Sequence, residues 1–416
     1  MRILIICYVY PPEVASAGPM VRQLAQDLAR EGHDVTVLTG WPNHPAGKVF
    51  PGYSMRWRSV ESDGRHRVMR VAHAVGSKIA PIRRMWIYFT FAVSSLANGL
   101  TLGRHDVVVS LSTPIFGVWT AWLLAKCWGA RFVNVLFDIW PEAIINAGLA
   151  RPNALYRLVR RIDTLNCQLS DVISTLGEGM RQMLIHRGIE PAKVKVIPFW
   201  IDTDEIRPLP RDNAWRREQG IAPDKFVALF AGTVGYASGV QVLVEAAKHL
   251  QSRSDILIVV VGEGPVKKEI EELARASGVG NMRLFPFQPA ERVAELQSAA
   301  DVGLVTLQAQ SGASSVPSKM LGYMAAGRAV IASAAPETDT AKLIAQADCG
   351  LTVPAQDAAA IAEAIRTLAD DPDRCRHLGS QARRCTEQLF SPQAVLRQYK
   401  QVIVPGWTDR PESPPP

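Results

Sequence analysis

The chain predicts an α/β protein made of two doubly wound, Rossmann-like domains facing across a cleft. Three observations lead there. Short β-branched runs alternate with helical patterns up to residue 200, the alternation starts afresh near Phe226, and a polar stretch punctuated by prolines separates the two series. Length agrees, since 416 residues correspond to between two and three domains of about 150 residues each. At 48 % hydrophobic and 20 % charged, the chain can bury a core in both.

In the first series the strands are Ile3 to Val9, Val35 to Thr39, Val107 to Leu111, Phe132 to Leu136, Val172 to Thr175 and Val194 to Ile197. The segment from Met20 to Arg30 places Met20, Leu24 and Leu28 on one helical face, with Gly32 as a stop. In the second series the strands are Phe226 to Phe230, Ile256 to Val261, Met282 to Phe285, Val302 to Val305, Ala329 to Ile331 and Leu351 to Val353. Pro198, Pro208 and Pro210 mark Ile197 to Arg211 as the linker. The expected domains are residues 1–198 and 199–404, followed by a disordered tail, Pro405 to Pro416, that holds five prolines.

Composition narrows the partners. Residues 1–200 carry 23 basic against 13 acidic side chains, whereas residues 201–416 carry 23 against 26. A basic half suits nucleic acid, anionic lipid or a phosphorylated substrate. With neither zinc-finger spacing nor an RNA-binding aromatic signature, nucleic acid is set aside. Six scattered cysteines without a CxxC pair point to a reducing cytoplasm and no zinc site. The apolar run from Ile3 meets Pro11-Pro12 too early for a signal peptide and reads as a first strand. Met85 to Leu102 has no charged residue and follows Lys78, Arg83 and Arg84. It suits a buried domain helix or, with that basic flank, an interfacial one at an anionic membrane surface.

In a parallel sheet, ligands bind beyond the carboxyl ends of the strands. After the first strand, Glu13 and the small residues Ala17 and Gly18 open a helix whose amides could receive an anion or simply form a turn. Gly262-Glu263-Gly264 invites a dinucleotide reading, but Lys267 stands where GxGxxG needs its third glycine, so only a close backbone approach to some ligand remains. Asp202 and Asp204 form a DxD pair inside the linker, with nothing nearby to complete a metal site. Ser311 to Lys319 runs through Ser315, Val316, Pro317 and Ser318, with Pro317 expected at the first helical position. Lys319 in that first turn opposes the helix dipole, a placement that is useful if an anion binds there; the alternative is a serine-capped helix with a solvated lysine. Asp138 and Glu142 follow a strand and could contact acceptor hydroxyls or supply a base, or Asp138 could cap a helix.

Taken together these residues resemble the retaining family-four glycosyltransferases of GT-B architecture, in the branch that builds bacterial exopolysaccharide, capsule and O-antigen, including colanic acid and N-acetylfucosamine transferases. The resemblance spans roughly residues 1–400 and is carried by ILIICYVYPPE, AREGHDVTVLTGWPNHP, DIWPE, VIPFWIDTD, FAGTVGYASG, VVVGEGP and VPSKMLGYMAAGRAVIAS, the last being the most specific. It implies transfer of a sugar from a nucleoside-diphosphate sugar, a UDP-linked amino or deoxy sugar, to a polyprenyl-linked glycan, without metal or cofactor. It also implies roles. Asp138 and Lys319 would be catalytic. Ala17, Gly18, Gly232, Thr233, Gly262, Gly264, Phe287, Gln288 and Ser315 to Lys319 would line the donor, and Glu13 and Glu142 would face the acceptor.

There are departures from the family pattern. Thr233 and Ser238 stand where the broader family has two basic residues, and Ser314 and Gly322 stand where it has two glutamates; without the second, no carboxylate stands at position 322 to recognise a ribose, and the burden on Lys319 and on backbone amides grows. Phe199-Trp200 replaces Asn-Gly at the linker. A catalytically inactive nucleotide-sugar-binding relative and a nucleotide-sugar epimerase are the alternatives.

Overall fold

The computed structural model describes residues 1–13, 17–44, 46–76, 81–112, 115–142, 153–308 and 317–408. Two sheets organise them. The first has eight strands: β1 (Arg2–Ile6), β2 (Asp34–Gly40), β3 (Arg58–Asp63), β4 (His66–Val71), β5 (Val107–Leu111), β6 (Arg131–Val135), β7 (Val172–Thr175) and β8 (Val194–Val196). Their order is β3-β4-β2-β1-β5-β6-β7-β8, parallel except for the β3–β4 hairpin. Fully buried on both faces, β5 reads as a continuous apolar run, VVVSL, as parallel strands do. The hairpin was not expected from the sequence. β3 is an edge strand alternating exposed and half-buried residues, and its two-residue loop uses Gly64 at φ +65°.

Helices α1 (Ala17–Arg30), α2 (Pro81–Gly99), α3 (Ile115–Trp128), α4 (Ala154–Leu169) and α5 (Glu178–His186) connect these strands. α1 packs Val21, Leu24, Ala25 and Leu28 on one face of the sheet, while α2 and α3 pack Ile87, Phe91, Val118 and Leu124 on the other. Right-handed crossovers dictate that division, because the chain runs toward opposite edges from β1 and from β4.

The second sheet is wholly parallel: β9 (Phe226–Ala231), β10 (Ile256–Val261), β11 (Met282–Phe285), β12 (Val302–Thr306), β13 (Ala329–Ser333) and β14 (Gly350–Val353), in the order β11-β10-β9-β12-β13-β14. This is the doubly wound order, with its switch point between β9 and β12. Its helices are α6 (Ala214–Glu218), α7 (Val242–His249), α8 (Lys267–Ala276), α9 (Val293–Ser298), α10 (Ser318–Ala325), α11 (Asp339–Ala347), α12 (Ala358–Asp370) and α13 (Pro372–Cys385). The last helix, α14 (Pro392–Ile403), returns to the first half, where Val395, Leu396, Tyr399 and Ile403 complete the core around Ile3 and Ile5.

That return corrects the expected boundary at residue 404, which places α14 in the second domain. The tail expectation also changes. Trp407 packs against the first core, donates from Nε1 to Glu31 at 2.8 Å and lies under the Lys400 ammonium. Residues 409–416 lie outside the described residues. The chain therefore joins its halves twice, through residues 197–213 and again ahead of α14. Arg383 clamps the two passages by donating to the carbonyls of Thr203, Ile206 and Ala325.

Candidate functional site

β9 and β12 are paired only through Val302–Ala228 and Gly303–Leu229, then splay apart. The splay opens a crevice at the switch point, where parallel sheets place ligands. The amide of Ala231, deprived of a strand partner, donates instead to the buried hydroxyl of Tyr323 at 2.6 Å. The Tyr323 ring fits because Gly303 has no side chain: a Cβ there would lie 2.2 Å from it.

Two glycine loops wall the crevice. A Cβ on Gly262 would meet the Gly232 carbonyl oxygen at 1.9 Å, and one on Gly264 would meet the Val234 oxygen at 2.2 Å. The loops are laced by Gly232 N–H donating to Val261 O and Val234 N–H to Glu263 O, both at 2.9 Å. The close approach expected of this GxG is thus made to the chain's own backbone, and the glycines serve the shape of the crevice. Thr233 lies beside them. Ser238, at the other position where the family is basic, donates to Gly235 O at 2.7 Å.

Lys319 enters from the second position of α10. Pro317 occupies the cap position and Ser318 the first helical one, a register one residue later than expected, and no side chain caps the helix. Ser311 to Val316, including Ser315, lie outside the described residues. The Lys319 ammonium sits 4.0 Å from the centroid of Phe230, at the end of β9. Its residue surface is partly accessible, but the protein packed around the ammonium desolvates it and pulls its pKa down to about 8. No carboxylate among the described residues pairs with it. An enclosed cation without a counter-charge at a helix N-terminus is built to receive an anion.

On the β11 side, Phe287 is exposed, while Gln288 uses its Oε1 to accept from Trp215 Nε1 at 3.2 Å, anchoring the loop. Gly322, where the family pattern has a glutamate, is filled from outside: the Gln297 amide lies 2.3 Å from where its Cβ would be. Gln297 is buried, and its Oε1 has no hydrogen-bond partner among the described residues. A cavity of about 340 Å³ bordered by Ile221, Lys225, Ile256 and Arg283 lies at the amino ends of the strands, the wrong end for this chemistry.

The acidic residues of the first half behave differently. Glu13 is only 1 % exposed; its Oε1 accepts from the amides of Asn43 at 2.8 Å and His44 at 2.7 Å, and its Oε2 from Tyr10. The acceptor-facing role expected of it is corrected to a structural one, because the carboxylate ties the loop after β1 to the loop after β2. Gly18 belongs to the same packing, its α-carbon seated against the Glu13 carbonyl, and Ala17 lies half-buried beside it.

Glu142 is likewise spoken for. It accepts from Tyr156 at 3.2 Å and pairs with Arg160 at 3.6 Å and with the buried guanidinium of Arg187. Arg187 also binds Asp163 at 2.8 Å and the Trp140 carbonyl at 3.0 Å. One guanidinium thus secures the 138–142 loop from beneath. Asp163, buried and sharing that single cation with Glu142, has its carboxyl raised to about 6. Asp138, at the strand end, is the most exposed of these acids, and the protein around it still raises its carboxyl by desolvation.

Sequence reasoning missed Arg187, Asp163 and Tyr323, which carry no motif. It also missed what the linker departures do. Phe199 stacks on Phe137 at 5.2 Å and 4°, next to Asp138, while Trp200 donates to Gln23 at 2.9 Å and packs edge-on to Tyr399. In the DxD pair, Asp202 accepts from the amides of Asp204 and Glu205, both at 2.9 Å, closing a turn. Across the cleft, the Gly179 amide at the start of α5 donates to Asp339 at the start of α11, at 3.0 Å.

Two Rossmann-like domains facing across a cleft, joined by a linker and a returning helix, with an anion-ready crevice in the second, define the GT-B class of glycosyltransferase fold. The profile described as Glycosyl transferase 4-like domain matches residues 17–200, and that described as Glycosyl transferases group 1 matches residues 211–385. The chain belongs to this glycosyltransferase family. It is similar to WcaI of Escherichia coli (strain K12), named as a colanic acid biosynthesis glycosyl transferase, at 26 % identity over 407 residues, covering 96 % of this chain and 98 % of the relative. Among solved structures, sucrose-phosphate synthase of Thermosynechococcus elongatus superposes with a TM-score of 0.75 at 20 % identity, over 96 % of this chain and 98 % of that one. HepE of Anabaena, solved in complex with UDP, superposes with a TM-score of 0.70 at 15 % identity, over 97 % and 99 %.

Proposed function

We propose that this glycosyltransferase moves a sugar from a nucleoside-diphosphate donor, a UDP-linked amino or deoxy sugar, onto a polyprenyl-linked glycan of a surface polysaccharide such as capsule or O-antigen, with retained anomeric configuration. The observation that carries the reading is Lys319: an enclosed ammonium without a counter-charge among the described residues, at the mouth of the β9–β12 crevice. The departing diphosphate supplies the missing anion, stabilised by Lys319 and the first amides of α10. The acceptor hydroxyl approaches from the side of the first half, near Asp138. Metal is not required, since helix dipole and ammonium carry the leaving-group charge. The likeness to a colanic acid relative and to the UDP-bound HepE fold supports this direction. The enzyme works in the cytoplasm, against the inner face of the membrane that holds such acceptors.

Melting curves with UDP, GDP and dTDP test the donor class, because a ligand at 100 times its dissociation constant adds about 2.7 kcal/mol. Stabilisation by UDP is expected, followed by turnover with lipid-linked glycan that survives EDTA and yields a product of unchanged anomeric configuration. Nucleotide binding without turnover on any acceptor returns the chain to an inactive binding relative. Conversion of free donor without an acceptor makes it an epimerase.

A further inference from the structure

The short helix α9 carries three polar side chains, Glu295, Gln297 and Ser298, and they are not treated alike. Glu295 accepts from the Trp215 amide at 3.0 Å and pairs with Arg292 at 2.8 Å. Ser298 accepts from the Leu209 amide at 3.1 Å. Gln297 is only 6 % exposed, yet its Oε1 has no hydrogen-bond partner among the described residues. An amide oxygen buried unpaired loses its hydration and gains no bond in exchange. Methionine or leucine would fill the same space without that penalty, so packing alone does not account for an amide here.

The space Gln297 fills is the one Gly322 leaves. Its Nε2 lies 2.3 Å from where a Cβ on Gly322 would stand, so the glycine is what admits the amide against α10. Gly322 comes three residues after Lys319, on the same side of the helix and about 4.5 Å further along it. β12 and β13 are parallel neighbours, so the helix between them runs back from the carboxyl ends of the strands and away from the first half. Gln297 therefore stands about one turn deeper in the second half than the ammonium does.

We infer that Gln297 is a specificity residue for the donor, its amide hydrogen-bonding a hydroxyl of the ribose while the diphosphate lies on Lys319. The inference rests on the donor reading above. Two groups flank a diphosphate held there: the sugar to be transferred and the nucleoside. The sugar has to face the first half, from which the acceptor comes, so the group extending along α10 is the nucleoside. Ribose is the part of it next to the phosphates. A hydroxyl suits the amide, because it can donate to Oε1 and accept from Nε2. The terminal torsion of glutamine is soft, so the amide turns toward a ligand with the rest of the side chain in place. Being neutral, it also leaves the Lys319 ammonium free for the phosphates, which a carboxylate at the same place would compete for.

The test is calorimetric titration of the purified full chain with UDP, 2′-deoxy-UDP and 3′-deoxy-UDP. The wild type is expected to bind UDP about 10-fold more tightly than at least one of the two deoxy analogues, the usual size of one lost hydrogen bond. Gln297→Met keeps the length of the side chain and removes the amide. It should bind UDP about 10-fold more weakly and lose the preference for ribose. Its melting temperature shows whether it is folded, and the wild-type comparison decides the matter if it is not. Equal wild-type affinity for all three nucleotides overturns the inference and leaves the donor reading standing. So does a preference that folded Gln297→Met preserves. No binding of any of the three overturns the donor reading and this inference together.

Discussion

At the carboxyl ends of β9 and β12 the ionisable group is Lys319, with no carboxylate near it among the described residues. At the carboxyl ends of β1 and β6 the acids Glu13 and Glu142 are each held by several donors. The second half keeps an ammonium that no carboxylate among the described residues pairs with, beside glycine loops laced to each other by backbone hydrogen bonds. The first half spends Glu13 and Glu142 on its own loops and leaves Asp138 exposed at the end of a strand. One half holds a cation without a counter-charge among the described residues; the other is a braced frame around one exposed acid.

The largest effect should come from breaking that brace. Arg187→Met leaves Asp163 and Glu142 facing each other without their shared cation, and removing one partner of a buried ion pair costs about 3–5 kcal/mol. Denaturant unfolding should show the loss. Retention of wild-type stability would mean that the cluster does not hold the 138–142 loop.

Lys319→Ala should lower turnover by about 100- to 1000-fold, the effect of removing one donor to a developing anion, and weaken nucleoside-diphosphate binding while leaving the melting temperature of the free protein nearly unchanged. Because desolvation lowers the Lys319 pKa to about 8, affinity for the diphosphate should fall as pH rises through that value and the cation is lost. An affinity that stays flat to high pH would put the anion elsewhere.

Asp163 gives the brace a pH signature. Its carboxyl titrates near 6 in the folded chain, above its unfolded value of about 3.9, so the folded state holds the proton more tightly. The stability this group contributes is present below the unfolded pKa and is lost as pH rises from about 4 to about 6. Relative to Asp163→Asn, the wild type should therefore lose stability over that window, by up to about 3 kcal/mol. Parallel stability curves for the two proteins would contradict the account in which burial of Asp163 outweighs its pairing with Arg187.

The strands of both sheets were legible because buried parallel strands are continuous β-branched runs. Val107–Leu111, Val172–Thr175, Ile256–Val261 and Met282–Phe285 match the structure at both ends. The β3–β4 hairpin escaped because an exposed edge alternates weakly, although Asp63-Gly64 was a usable turn signal. Lys319 was legible because a cation in a helix's first turn is out of place. The duties of Glu13 and Glu142 were not, since a carboxylate after a strand looks the same whether it faces a substrate, the amides of another loop or a buried guanidinium. Arg187 and Tyr323 act across long separations, 24 residues to Asp163 and 92 to Ala231, which no local pattern encodes.

The smallest predicted effect bears on how the frame reaches Asp138. Phe199, in the linker, stacks on Phe137, the residue preceding Asp138. Phe199→Leu keeps an apolar side chain of similar length and loses the ring–ring contact, worth about 0.5–1.5 kcal/mol beyond the buried area. If the stack only fills space, stability should drop by about that amount and kinetics should stay unchanged. If it sets the height of Asp138 at the cleft, turnover should fall a few-fold while donor affinity holds, because Lys319 and the glycine loops belong to the other half. Steady-state kinetics at saturating donor separate the two outcomes. A loss of donor affinity instead would show that the halves are less independent than their opposite charge arrangements imply, with the linker positioning the crevice as well as the frame.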